Sequence, residues 1–85
     1  MEHRWIEHLP RRGELYNATA VVGDHHIDLV LYDDGTGLVL THDATTRRTL
    51  GMFTRDHHVA VSTADKRIEH AQRITRDREA TSSAA

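Results

Sequence analysis

The sequence predicts an α+β domain: a five-stranded antiparallel sheet, flat or curled into a small barrel, with a short N-terminal helical segment and one C-terminal helix. Three observations predict it. Apolar residues alternate with a period of two through most of residues 14–61, as they do in strands that bury one face. Short Gly- and Asp-rich turns interrupt that alternation, and tight turns join antiparallel strands, because parallel neighbours need long crossovers. From Ser62 onward the period changes to that of a helix.

Each element follows from local chemistry. Trp5, Ile6 and Leu9 stand at i, i+1 and i+4, which is helical spacing, and Pro10 ends the pattern. A short helix or turn over residues 1–9 is therefore expected, followed by an Arg11–Gly13 connector. Tyr16, Ala18, Ala20 and Val22 share one face of a strand, with Asn17 and Thr19 opposite. Gly23-Asp24 is a hairpin turn pair. Ile27, Leu29 and Leu31 form the second strand, Asp33–Gly37 a glycine-containing turn, and Leu38–Thr41 a third strand. After Asp43-Ala44-Thr45, the residues Arg48, Leu50 and Met52 oppose Thr49, Gly51 and Phe53 in a fourth. Thr54-Arg55-Asp56 turns again, and Val59-Ala60-Val61 reads as a fifth strand.

Ser62 or Thr63 can cap a helix running to about Arg78, with an apolar stripe of Ile68, Ala71 and Ile74. Residues 80–85 are small and polar and read as a disordered tail, which leaves residues 1–79 as one domain. A helical segment followed by five strands and tight turns is similar in outline to SH3-like and Sm-like barrels, without any family motif. The expected core is Trp5, Tyr16, Ala18, Ala20, Val22, Leu29, Leu31, Val39, Leu50, Met52, Val59, Val61, Ile68 and Ile74. A one-residue slip would exchange the faces, and Leu38 with Leu40 would then replace Val39.

Composition narrows the function. Eighty-five residues supply one small core and little more, which disfavours a deep substrate cavity. There is no Cys, so disulfides and thiolate metal sites are excluded. The longest apolar run, Leu29-Val30-Leu31-Tyr32, is too short to span a membrane, and a cytoplasmic protein is expected. Net charge is −2, unevenly spread: residues 1–43 hold 3 basic and 8 acidic side chains, residues 44–85 hold 8 basic and 5 acidic.

The motif that stands out is a repeat, Asp24-His25-His26 and Asp56-His57-His58, among eight histidines. Neighbouring strand residues point to opposite faces, so each pair could give a metal only one ligand. A site would need His26, His42 and His58 to converge, and zinc requires three or four ligands. The repeats read better as turns that open strands, with Asp supplying the turn. No metal or cofactor is expected.

Asp33-Asp34 lies in a Gly-rich, solvated turn, whereas carboxylates that do acid–base work usually need burial to shift their pKa values. The three serines sit at a helix cap or in the tail, and no glycine loop cradles phosphate, so no enzyme is expected. Arg47, Arg48, Arg67 and Arg73 are the candidate partner-binding residues, because guanidiniums suit carboxylate and phosphate contacts alike. A protein partner is the leading expectation, with the chain acting as a regulator or inhibitor of antitoxin, inhibitor or phage accessory type. A homodimer sharing the thin helix stripe is a second state to consider. The rival is a nucleic-acid-binding small barrel using Arg47, Arg48 and the basic side of the helix. Interleaved Asp65, Glu69, Asp77 and Glu79 weaken it, as does the scarcity of aromatics, since Trp5, Tyr16 and Phe53 look committed to the core.

Overall fold

A computed structural model describes residues 4–84. The elements are β1 (Trp5–Glu7), β2 (Glu14–Val22), β3 (His25–Tyr32), β4 (Gly37–Asp43), β5 (Arg48–Thr54) and α1 (His57–Ala84). Each strand pairs antiparallel with its sequence neighbours, in the order β1-β2-β3-β4-β5. The fold is α+β: an open five-stranded meander with one C-terminal helix lying across it.

Three expectations are corrected. The N-terminal segment, expected as a helix or turn over residues 1–9, is not helical over its described residues 4–9, and residues 1–3 lie outside the described residues. Trp5, Ile6 and Glu7 pair with Ala20, Thr19 and Ala18 as the first strand. Nucleating a helix of so few residues costs more than joining a ladder whose partner groups already stand in line. The stretch around Val59–Val61 is not a strand; it is the first turn and a half of α1. Asp56 decides this. Its Oδ1 accepts from the amide of His58 at 2.8 Å and its carbonyl accepts from the amide of Ala60 at 3.1 Å, which caps the helix before Ser62 is reached. Val59 and Val61 therefore face outward, 46 % and 41 % exposed. At the other end the helix passes the expected stop at Arg78 and continues to Ala84.

The sheet, finally, is not a barrel. Closure would require β1 and β5 to pair, but β1 has 3 residues and β5 has 7, and the two lie at opposite edges.

Register sorts the two faces. Ala18, Leu29, Val39 and Met52 form one cross-strand row, and Trp5, Ala20, Ile27, Thr41 and Leu50 form the next. Both rows face α1. The helix answers with Ala60, Ala64, Ile68, Ala71 and Thr75, all buried and spaced three or four apart. Its contact residues are small because the helix sits close. A Cβ on Gly37 would come within 2.7 Å of the Ala60 Cβ. Gly23, at φ +56°, lies equally close to Thr75. Two glycines thus set the height of the helix above the two ends of the sheet.

The core contains Ala18, Ala20, Val22, Ile27, Leu29, Val39, Ala60, Ala64, Ile68 and Ala71, with Trp5, Tyr16, Leu31 and Met52 packed at its margin. Val39, not Leu38 and Leu40, faces inward. Leu50 belongs to the correct face but is 59 % exposed, because it stands on the edge strand beyond the reach of the helix. Phe53, expected inside, lies on the opposite face and is 61 % exposed. Among the described residues no helix is long and apolar enough to cross a membrane.

Candidate functional site

The two Asp-His-His repeats sit at opposite ends of α1, and both fasten it. The second repeat holds the N-terminal end. Asp56 caps the helix, and His57 donates from Nε2 to the Tyr32 carbonyl at the end of β3, 2.9 Å away. The first repeat holds the C-terminal half. His25, only 4 % exposed, places Nε2 3.4 Å from an Asp43 carboxylate oxygen across the β3–β4 pair. Asp43 in turn accepts two hydrogen bonds from the Arg78 guanidinium, at 3.0 and 3.4 Å. Asp24 lies 3.9 Å from the same guanidinium and accepts from the Thr45 hydroxyl. Arg78 holds the Asp43 carboxyl well below the usual carboxylate range, and Asp43 raises the pKa of Arg78 in return.

Beside this latch, the helix and the β4–β5 hairpin diverge. They leave a cleft of about 480 Å³. Leu50 and Ile74 give it an apolar floor and wall, and Arg48, Arg67, His70 and Arg78 line its rim. Arg67 is steered into place by donating to the Thr41 hydroxyl at 3.1 Å. Neither Arg48 nor Arg67 has a carboxylate partner among the described residues. Among the described residues Asp43 is the only carboxylate lining the cleft, and Arg78 already holds it. The cleft is therefore cationic over an apolar base. The Nδ1 of His25, which also lines it, is buried without a hydrogen-bond partner.

The cleft opens onto the free edge of β5. Sheet edges expose backbone donors and acceptors, and proteins usually blunt them with Pro, Lys, a bulge or a covering loop. The other edge, β1, is blunted by its length of 3 residues. β5 has 7 residues, no Pro or Lys, and a regular register with β4. Leu50 projects from one side of this strand and Phe53 from the other. Arg47, the one non-glycine residue with positive φ among the described residues, and Arg48 stand at its start; Arg55 follows its end.

The four predicted partner-binding residues divide. Arg48 and Arg67 meet at the cleft, and Arg47 stands in the turn beside it. Arg73 is exposed and does not line the cleft; it follows Ala71 by two positions, about 200° around the helix at 3.6 residues per turn, and so faces away from the sheet. His25, Asp43 and Arg78 were missed. They stand 18 and 35 residues apart in sequence, and only the fold brings them together.

His26, His42 and His58 do not converge. His26 and His42 are cross-strand neighbours on the face away from α1, but His58 is at the start of the helix, by the Tyr32 end of the sheet. No group of three or more metal-ligating side chains occurs among the described residues. Asp33 and Asp34 lie in the β3–β4 turn, where Asp34 is held below its ordinary value by the hydroxyl and amide of Thr36, an Asx-type turn.

No family model, curated protein or solved structure matches this chain. Its function must be argued from the molecule itself.

Proposed function

We propose that this chain is a small non-enzymatic protein-binding module that regulates or inhibits its partner by occupying it. The observation that carries the reading is the free edge of β5. An unblunted strand with Leu50 and Phe53 exposed on its two sides lies beside arginines that have no carboxylate partner. Apolar anchors ringed by guanidiniums are the residue types that dominate protein–protein contacts. Nucleic acid is served less well. Phosphate binding to single strands wants aromatics and cations on one surface. Here Phe53 lies on the face away from the helix, while Arg48 and Arg67 lie on the helix side.

Size-exclusion chromatography with light scattering tests the reading. It is run on the pure protein and after adding host lysate, at low and at moderate salt, with bound material identified. A protein partner that stays bound at moderate salt and weakens when Leu50 and Phe53 become Ala is expected. Nucleic acid that co-elutes only at low salt, and is lost in Arg47→Ala/Arg48→Ala, would replace this reading, because phosphate contacts fail steeply as salt rises.

A further inference from the structure

We infer that the β5 edge takes one kind of ligand: an extended segment of another protein in which acidic and apolar residues alternate, added to the sheet as a sixth strand. The inference rests on the protein-binding reading and specifies the partner's chemistry.

Geometry supplies the backbone term. β5 is straight enough to pair with β4 over its whole length without a bulge, so its outer edge offers an equally regular row of donors and acceptors. Side-chain periodicity supplies the specificity. Alternate residues of an added strand would fall on alternate faces. Those on the helix side would stand next to Leu50 at the mouth of the cleft, under Arg48, Arg67 and His70. Two of these groups are guanidiniums that no carboxylate of the described chain neutralises, so carboxylates are the favoured side chains there. The residues on the other side would lie beside exposed Phe53, where the row Asn17, Val30, Leu38 and Phe53 carries no charge and favours apolar contact.

A second copy of this chain fits worse. The antiparallel register that pairs all of β5 with itself is centred on Gly51. It would set Arg47 of each copy against Arg55 of the other, a like-charge contact at both ends of the strand.

The test uses two synthetic heptapeptides, one alternating Glu and Val, the other Lys and Val, titrated into the ¹⁵N-labelled full chain. The Glu–Val peptide should shift the amides of Arg48–Thr54 and slow their hydrogen exchange, and should bind at least tenfold more tightly than the Lys–Val peptide. The double variant Arg48→Glu/Arg67→Glu should reverse that preference. Because Arg67 also contacts Thr41, the single variant Arg48→Glu, whose site is fully on the surface, should reduce the preference on its own. Equal binding of the two peptides would overturn the inference, as would no binding. Shifts confined to the face of Val21, His26 and Leu40 would overturn it while leaving a protein-binding module in place. β5 amides already protected in a dimer of the free protein would overturn it in favour of self-association.

Discussion

Gly37→Ala should destabilise the protein, although the same change in an ordinary strand stabilises. Alanine loses less conformational freedom than glycine on folding, which favours it by roughly 0.5–1 kcal/mol. Gly37 has no positive φ to forbid a side chain. What forbids it is the helix. The new methyl would stand 2.7 Å from the Ala60 Cβ and 3.3 Å from the Leu31 Cδ2, where ordinary contact begins at 3.4 Å. The start of α1 would have to rise, and it is held down by His57 on the Tyr32 carbonyl at 2.9 Å. Overpacking of this kind costs ~1–3 kcal/mol. Set against the strand gain, a net loss of about 1–2 kcal/mol is expected, or about 4–8 °C in Tm per kcal/mol for a domain this size.

Thermal unfolding followed by far-UV circular dichroism reads it. Ala60→Gly alone should lose about 1 kcal/mol through helix propensity. The double variant should be more stable than the two single losses predict, by ~1 kcal/mol or more, because each change relieves the other. A Gly37→Ala protein at least as stable as the parent, or strictly additive losses, would refute the close approach of helix and sheet.

Other expectations follow from the same contacts. Gly23→Ala should cost more than Gly37→Ala, since it adds a strained backbone at φ +56° to a clash with Thr75; parallel melting curves would rank them. Ile27→Ala should lose about 2–5 kcal/mol, whereas Leu50→Ala should change stability little, because Ile27 is fully buried and Leu50 is 59 % exposed; urea titrations that rank them the other way would reverse the face assignment. Asp43→Asn should lower Tm near neutral pH by weakening the contact with Arg78. The Asp43 carboxyl is depressed in the folded state, so its contribution is complete above its unfolded value of about 3.9 and disappears as pH falls through the folded value. The gap between parent and variant should therefore be flat from about pH 7 to 5, begin to narrow below about pH 4 and vanish only as pH falls through the much lower folded value; a gap that widens in acid would contradict the latch.

Much of this fold was legible in the sequence because strand periodicity is a local signal. Tyr16, Ala18, Ala20 and Val22 could be assigned to the core face from alternation alone, and the β2–β3 turn at Gly23-Asp24 from its residue types. The errors share a cause: competition between nearly balanced local options, decided by tertiary contacts. Trp5 and Ile6 carry a pattern too short to separate helix from strand, and β2 supplied the partner. Val59 and Val61 favour strands, but Asp56 caps a helix whose Ala60, Ala64 and Ala71 fit against glycine-thinned sheet. Alanine at that spacing was the readable clue, and two exposed valines obscured it. Leu50 was placed inside because periodicity reports which face a residue joins, and says nothing of whether anything covers it; Phe53 was taken as core although the same alternation sets it opposite Leu50 and Met52.

The candidate site was half legible for the same reason. Arg48 and Arg67 could be chosen by charge, but the cleft that joins them exists only because the fold sets α1 beside the β4–β5 hairpin. The repeated Asp-His-His shows the limit of motif reading most clearly. Identical tripeptides open a strand in one place and a helix in the other, so the motif does not encode a structure. In both places the Asp binds groups at the start or side of α1, and one imidazole reaches across to the sheet or its neighbour: His57 to Tyr32, His25 to Asp43 and through it to Arg78. With the helix pinned at both ends, its position over β3 and β4 is fixed while the outer edge of β5 stays unpaired. The histidines that first suggested a metal site instead hold the geometry that leaves one sheet edge open for a partner.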